Sequence, residues 1–207
     1  MSGVFYRPED GHGLPHDPFK AIVAPRPIGW ISTRGADGSV NLAPYSFFNA
    51  VAGRPPIVMF SSEGWKDSVA NADATREFTC NFVSADLAHQ MNETSASVTA
   101  DISEFELAGL AMAPGHAVDA PRVRDCPASL ECVVTTIQRQ TDRHGRQLDT
   151  HTVFGEVVGV HIDPAFLTGG LFDTSAAKPV MRLGYRDFGG LGEIFTLGRP
   201  GAPQNRG

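Results

Sequence analysis

The chain reads as a mainly β protein built on an antiparallel barrel. Three observations carry this: many short apolar runs, few long helical stretches, and turn signals that pair neighbouring runs as hairpins. Closing such a sheet on itself hides edges that would otherwise stay open. With 207 residues, 42% hydrophobic and 19% charged, the chain suits one domain with a sizeable core.

Residues 1–18 are rich in Gly, Pro and charge and read as an irregular arm. Phe19 to Ala24 is apolar, but the following Pro25-Arg26-Pro27 disfavours helix, so an extended or turning segment is expected. Pro27 to Thr33 is a strand. Gly35-Ala36-Asp37-Gly38 is its turn, and a partner strand starts at Val40. Asn49 to Pro55 reads as a connection and Ile57 to Ser61 as a strand. Asp67 to Ala74 predicts two helical turns, with Ser62 or Asp67 as N-cap.

Phe78 to Val83 alternates apolar residues with Thr79 and Asn81, the period of a half-buried strand. Asp86 to Thr94 predicts a helix capped by Asp86, with Leu87, Gln90, Met91 and Thr94 on one face. Residues 95–127 are broken by Pro114, Gly115, Pro121 and Pro127 and read as an insertion with a short helix near Ser103 to Ala111. A surface or dimer-contact role is expected there. Ala128 to Gln140, the turn at Asp142 to Arg146, and Thr150 to Ile162 form a long hairpin. Val180 to Tyr185 and Glu193 to Leu197 are expected as closing strands. Residues 199–207 are expected as a loosely ordered tail. The main domain is thus 19–198.

Charge and motifs exclude several function classes. A net charge of −6 argues against nucleic-acid and anionic-membrane partners. No run approaches a membrane-spanning length, and the N-terminus lacks a signal layout, so the expected setting is cytoplasmic. Cys80, Cys126 and Cys132 form no Cys-x-x-Cys pair, which argues against a zinc site or disulfide framework. There is no Gly-x-Gly-x-x-Gly unit, His-Glu-x-x-His pair or Gly-x-Ser-x-Gly elbow. If the chain is an enzyme, a cofactor is expected to perform the hard step.

Two constellations suit ligand binding. Ser61, Ser62, Lys66, Asp67, Ser68 and Asn71 offer hydroxyls, a helix start and an ammonium, as a phosphate monoester needs. Helix capping is the alternative explanation. Arg26, Gly29, Trp30, Ser32 and Thr33, with Asn41, Ala43, Pro44 and Ser46, mix small residues with polar ones, as a planar ring with a polar edge requires. The alternative is a core hairpin whose Trp only packs.

These same stretches resemble the flavin reductase-like, FMN-binding split-barrel family. The resemblance rests on Arg26-Pro27-Ile28-Gly29-Trp30-Ile31-Ser32-Thr33, Asn41-Leu42-Ala43-Pro44-Tyr45-Ser46-Phe47-Phe48, Pro55-Pro56 through Ser61-Ser62, Lys66-Asp67-Ser68 with Asn71, Glu77-Phe78 to Asn81, Gly155-Glu156-Val157-Val158, and Arg182-Leu183-Gly184 with Phe188. It covers roughly 18 to 198 and implies a six-stranded antiparallel split barrel of Greek-key topology, binding FMN as a homodimer. Arg26, Trp30, Ser32 and Thr33 would then lie along the flavin. Asn41, Ala43, Pro44, Ser46 and Phe48 would line its ring and ribityl chain. Ser61, Ser62, Lys66, Asp67 and Ser68 would hold the phosphate with Asn71 near it, and Arg182 completes the set. Ser68 stands where many relatives carry Thr, which keeps the hydroxyl.

The implied activity is hydride transfer from NADH or NADPH to FMN and on to free flavin or another small acceptor. A monooxygenase or redox protein is a further partner this implies. No side chain is assigned as catalytic. An electron-transfer flavoprotein reduced by a protein partner, or a non-enzymatic cofactor-binding protein, are the alternatives.

Overall fold

Two residues, Ser46 and Phe47, decide the shape of the main sheet. The computed structural model describes residues 3–96, 102–198 and 200–201. In chain order its first strands are β1 (Arg26–Pro27), β2 (Gly29–Arg34), β3 (Val40–Tyr45), β4 (Phe48–Gly53), β5 (Pro56–Glu63) and β6 (Glu77–Asn81). Two two-residue strands follow, β7 (Met112–Ala113) and β8 (Arg122–Val123), and then the long hairpin β9 (Ala128–Thr141) and β10 (Gln147–Ile162). The closing strands are β11 (Leu167–Thr168), β12 (Leu171–Phe172), β13 (Met181–Arg182) and β14 (Phe188–Gly189).

The main sheet has seven strands in the order β3-β2-β6-β9-β10-β5-β4. Its two edge strands, β3 and β4, are consecutive in the chain. The link between them spans at most about 3.5 Å per residue. The sheet must therefore roll until its edges lie side by side without pairing, which is a split barrel. The expectation of six strands is corrected to seven by β4, a stretch that the sequence pattern marks as a connection. Its residues are mostly exposed, so no apolar alternation marks it, yet it pairs with β5 from Phe48↔Phe60 to Gly53↔Pro56.

The barrel interior is packed by Ile31, Tyr45, Val58, Phe60, Phe78, Cys132 and Val153, with Val69 and Ala72 from helix α2 (Asp67–Thr75), which follows α1 (Phe19–Ile22) in the chain. Glycines make room for this packing. A Cβ at Gly155 would collide with the ring of Phe78, and one at Gly29 with the ring of Phe48.

A second core lies outside the barrel, where Ile28, Trp30, Leu42 and Val180 meet Met91, Phe105, Val123 and Cys126. These last four come from helix α3 (Ala88–Glu93), α4 (Glu104–Leu107) and the chain that follows. The covering segment changes the reading of β6. Thr79 and Asn81 point outward but are fully buried. Thr79 Oγ1 donates to the Ala120 carbonyl at 2.9 Å. Asn81 Oδ1 accepts the Val123 N–H at 2.8 Å. The polar face of the strand is thus satisfied by the backbone of 116–123 instead of by water.

Glu131 fastens this cover. It is fully buried on β9. Its carboxylate accepts the N–H groups of His116, Ala117 and Val118 at 2.5–3.1 Å, and His161 Nε2 also bonds it. Burial pushes the Glu131 carboxyl up, but these donors outweigh it and bring it to about 2.

Three smaller expectations are corrected. Phe19–Ile22 is one helical turn started by Pro18, not extended chain. Residues 86–94 split into a 3-10 turn (Ala85–Leu87) and α3, and Asp86 caps neither. Residues 193–197 form no strand; β14 closes the small sheet β1-β13-β14 instead. The stretch 165–177 contains the hairpin β11-β12 and helix α5 (Thr174–Ala177). Of the expected tail, all but 200–201 lies outside the described residues, as do residues 97–101 of the expected insertion.

Candidate functional site

Helix α2 begins without a cap. Lys66 occupies the N-cap position in extended backbone (φ −90, ψ 171), and no side chain accepts from the first turn. Neither expected cap serves: Ser62 Oγ donates to the Gly64 carbonyl at 2.9 Å. The first N–H groups of the helix are thus left for an external partner. Around them stand Lys66, Ser68 and the Asn41 amide, whose Nδ2 donates to Ser68 Oγ at 2.7 Å.

This helix start closes one end of a cavity of ≈ 390 Å³. Asn41, Ala43, Pro44 and Tyr45 of β3 form one wall, and Lys66, Asp67 and Ser68 the end. Thr94, Ser95, Ala96 and Glu104 face them. A second cavity, ≈ 200 Å³, adjoins it through shared Pro44 and Ser95, and it reaches Ser46, Met91, Arg182 and Phe188. Together they make one groove along β3. It runs from an ammonium and a helix N-terminus at one end to a guanidinium at the other.

The other sequence candidates lie behind this groove or beside it. Asn71 lines a neighbouring cavity beyond α2, with Asn41, Asp67 and Glu104. Its Nδ2 donates to the buried Thr33 Oγ1 at 3.1 Å, which ties α2 to β2. Trp30 is fully buried, and its Nε1 donates to Thr94 Oγ1 at 2.8 Å. Ser32 donates to the Pro121 carbonyl under the outer cover. Arg26 donates to the carbonyls of Lys20, Val23 and Leu183. Ser61 accepts from Thr152 Oγ1 at 3.0 Å. Phe48 packs over Gly29 and lines a separate apolar cavity with Ile28, Leu130 and Met181. Ser62 does approach the groove, since its hydroxyl and that of Ser68 flank the Tyr45 phenol.

Thr94, Ser95 and Glu104 are among the groove residues that escape the sequence reading. The first two follow a short helix with no motif of their own. Glu104 lies in the proline-broken segment, where no periodicity fixes a position. Its carboxylate Oε2 accepts the Leu42 N–H at 3.0 Å. Burial pushes the Glu104 carboxyl up and the Asp67 charge adds to this, while the Leu42 N–H works against both. Burial likewise pushes the Tyr45 phenol up, and the Ser68 and Ser62 hydroxyls partly offset it.

A cluster outside the groove has metal-ligand residue types. The ligand atoms of His116, Glu131 and His161 lie within 4.8 Å of one another. Both Glu131 oxygens already accept backbone N–H groups, so its role is to hold the cover.

Known proteins share this architecture. Residues 23–179 match the flavin reductase like domain. A protein of Deinococcus radiodurans is 38% identical over 192 residues, covering 86% of this chain and 82% of its own. The crystal structure of nitrilotriacetate monooxygenase component B from Bacillus cereus superposes with a TM-score of 0.86 at 26% identity, over 95% of this chain and 100% of that one. The 2-nitrobenzoate 2-nitroreductase of Pseudomonas fluorescens gives 0.78 at 26% identity, over 91% and 92%. On the domain match, which spans most of its length, the chain belongs to the flavin reductase-like family.

Proposed function

We propose that this protein is an FMN-dependent oxidoreductase that takes hydride from NADH or NADPH and passes electrons to free flavin or another acceptor. The uncapped start of α2 beside Lys66 carries the reading. Its donor set fits a phosphate monoester: free N–H groups, an ammonium and the Ser68 hydroxyl. Along β3, Ala43 and Pro44 present little side chain, so a planar ring can lie close to the backbone while Asn41 and Ser46 meet its polar parts.

Bound FMN would supply the hydride-accepting ring, a chemistry no side chain of the groove offers. The residues of the chain bind and orient. Lys66 and the first turn of α2 fix the phosphate end. The wall of β3 sets the plane of the ring, and Thr94 and Ser95 hold the opposite side. Trp30, Ser32, Thr33 and Asn71 keep β2, α2 and α3 in place behind that wall. No proton need be moved by a side chain.

The component B relative belongs to a monooxygenase by its name, which favours a separate monooxygenase as the consumer of reduced flavin. A homodimer is part of the reading. The edge strand β4 leaves Val51 exposed, and β10 leaves Val158 and Val160 exposed, apolar surface that a symmetric copy would cover. Free, buried cysteines suit the cytoplasm.

The test is an absorbance spectrum of the purified protein, before and after anaerobic NADH and then NADPH. Flavin bands that bleach with a nicotinamide support the reading. Bands that persist until a chemical reductant is added would instead mark an electron-transfer protein. Failure to take up added FMN would remove the reading. Sedimentation at the 22.1 kDa of one chain, with FMN fully bound, would remove the dimer.

A further inference from the structure

The second cavity of the groove carries a cation that the phosphate end does not use. Arg182 Nη2 donates to the Tyr185 carbonyl at 2.6 Å, and Nη1 reaches the Asp187 carbonyl only at 3.5 Å. The guanidinium lies 4.5 Å from the centroid of the Phe188 ring. Among the described residues no carboxylate forms an ion pair with it. Its charged neighbour is another guanidinium: burial and then the charge of Arg182 lower the pKa of Arg26. The three carbonyls around Arg26 accept from its Nη1 and Nη2 groups. A locally unmet positive charge therefore faces a cavity in a chain of net charge −6.

The rest of that cavity suits a ring. Ile28, Met91 and Phe188 are apolar, while Ser46 and Asn92 offer hydrogen bonds. It meets the larger cavity at Pro44 and Ser95, so a ligand there abuts whatever lies along β3. Lys66 and Arg182 line different cavities and do not converge on one phosphate.

We propose that the Arg182 end of the groove is the subsite for the second ligand, and that it selects a planar ring carrying an anionic group, phosphate or carboxylate. The inference rests on the FMN reading above and names the ligand class of its open side. A nicotinamide nucleotide brings such a phosphate, and an aromatic acid brings such a carboxylate. Arg182 acts by charge-assisted hydrogen bonds from the guanidinium edge not taken by Tyr185. Phe188 holds the guanidinium plane.

The experiment is calorimetric titration of the FMN-loaded protein with two pairs of unreactive ligands. One pair is nicotinamide mononucleotide and nicotinamide riboside, which differ by the phosphate. The other is benzoate and benzamide, which differ by the charge. Wild type, Arg182→Gln and Arg182→Lys are compared, with flavin loading read from the absorbance spectrum. The expected result is that the Gln variant weakens the anionic member of at least one pair about tenfold. The member lacking the anionic group should change less than about twofold, and Lys should restore part of the loss. The pair that responds identifies the source of the anion.

Equal losses for the two members of each pair, no loss for the phosphate- or carboxylate-bearing members, or no binding of any of the four by loaded wild type would overturn the subsite. Protein that takes up no FMN would remove the parent reading, and this inference with it. That outcome is visible in the spectrum before any titration.

Discussion

Asn41 and Ser68 join the two halves of the groove: the Asn41 amide on β3 donates to the Ser68 hydroxyl in the first turn of α2 at 2.7 Å. Both side chains are buried. The bond fixes the spacing between the β3 wall of the groove and the start of α2 at its end. Asn41→Ala should therefore cost about 1 kcal/mol of stability and also weaken FMN binding, by roughly threefold to tenfold. Chemical denaturation and a flavin titration of the same variant check both. A stability loss with unchanged FMN affinity would mean that the bond serves the fold alone.

Lys66→Ala tests the phosphate end directly. Lys66 is exposed and forms no ion pair among the described residues, so its loss leaves the fold intact. FMN should bind on the order of tenfold more weakly or worse, because the phosphate loses a charge-assisted partner. Riboflavin, which has no phosphate, should bind the variant and the wild type alike. Unchanged FMN affinity contradicts the assignment.

Glu104→Gln should act in the opposite direction. The folded protein favours the protonated form of this carboxyl. The group's contribution is therefore fully present below its unfolded pKa and is lost as pH rises through its raised folded pKa. Once pH has risen past that raised value, wild type carries a buried carboxylate beside Asp67. Gln removes that charge and keeps an acceptor for the Leu42 N–H. The variant should gain stability relative to wild type at alkaline pH, with the gain shrinking as pH falls. FMN should bind it a few-fold more tightly at alkaline pH, since one repelling carboxylate has left the groove. A pH-independent stability difference would contradict this account.

Legibility in the sequence followed how local each signal is. The β2-β3 hairpin was readable from Gly35-Ala36-Asp37-Gly38, and the β9-β10 hairpin from Asp142 to Arg146, because a turn is written in adjacent residues. β4 was not readable, since an exposed edge strand needs no alternation. Thr79 and Asn81 carried the pattern of a solvent face, yet they bury under a segment some forty residues later. The α2 end of the groove was legible because Lys66, Asp67 and Ser68 are adjacent in the chain. Glu104 was not, because its partner Leu42 lies on a strand far away in sequence. Trp30, Ser32 and Thr33 show the converse: a motif marks them, but they point behind the wall that the motif builds.

Glu131 makes the acid stability of the protein predictable. Its carboxyl lies at about 2 in the folded protein, against 4.5 ordinarily. A depressed folded pKa means that its stabilisation is fully present above the unfolded value and is lost as pH falls through the folded one. The window is therefore from about pH 4.5 down to about 2. The contribution is on the order of 2 kcal/mol, most of it from the N–H groups of 116–118. Glu131→Gln keeps the shape but turns an N–H₂ toward donors that need an acceptor. The variant should be less stable than wild type at pH 7 by about that amount. The gap should narrow steadily below pH 4.5, as protonation takes the same interaction from wild type. Denaturation midpoints of the two proteins at several pH values measure it. A gap that stays constant down to pH 2 would mean that Glu131 supports the cover through its packing and not through its charge.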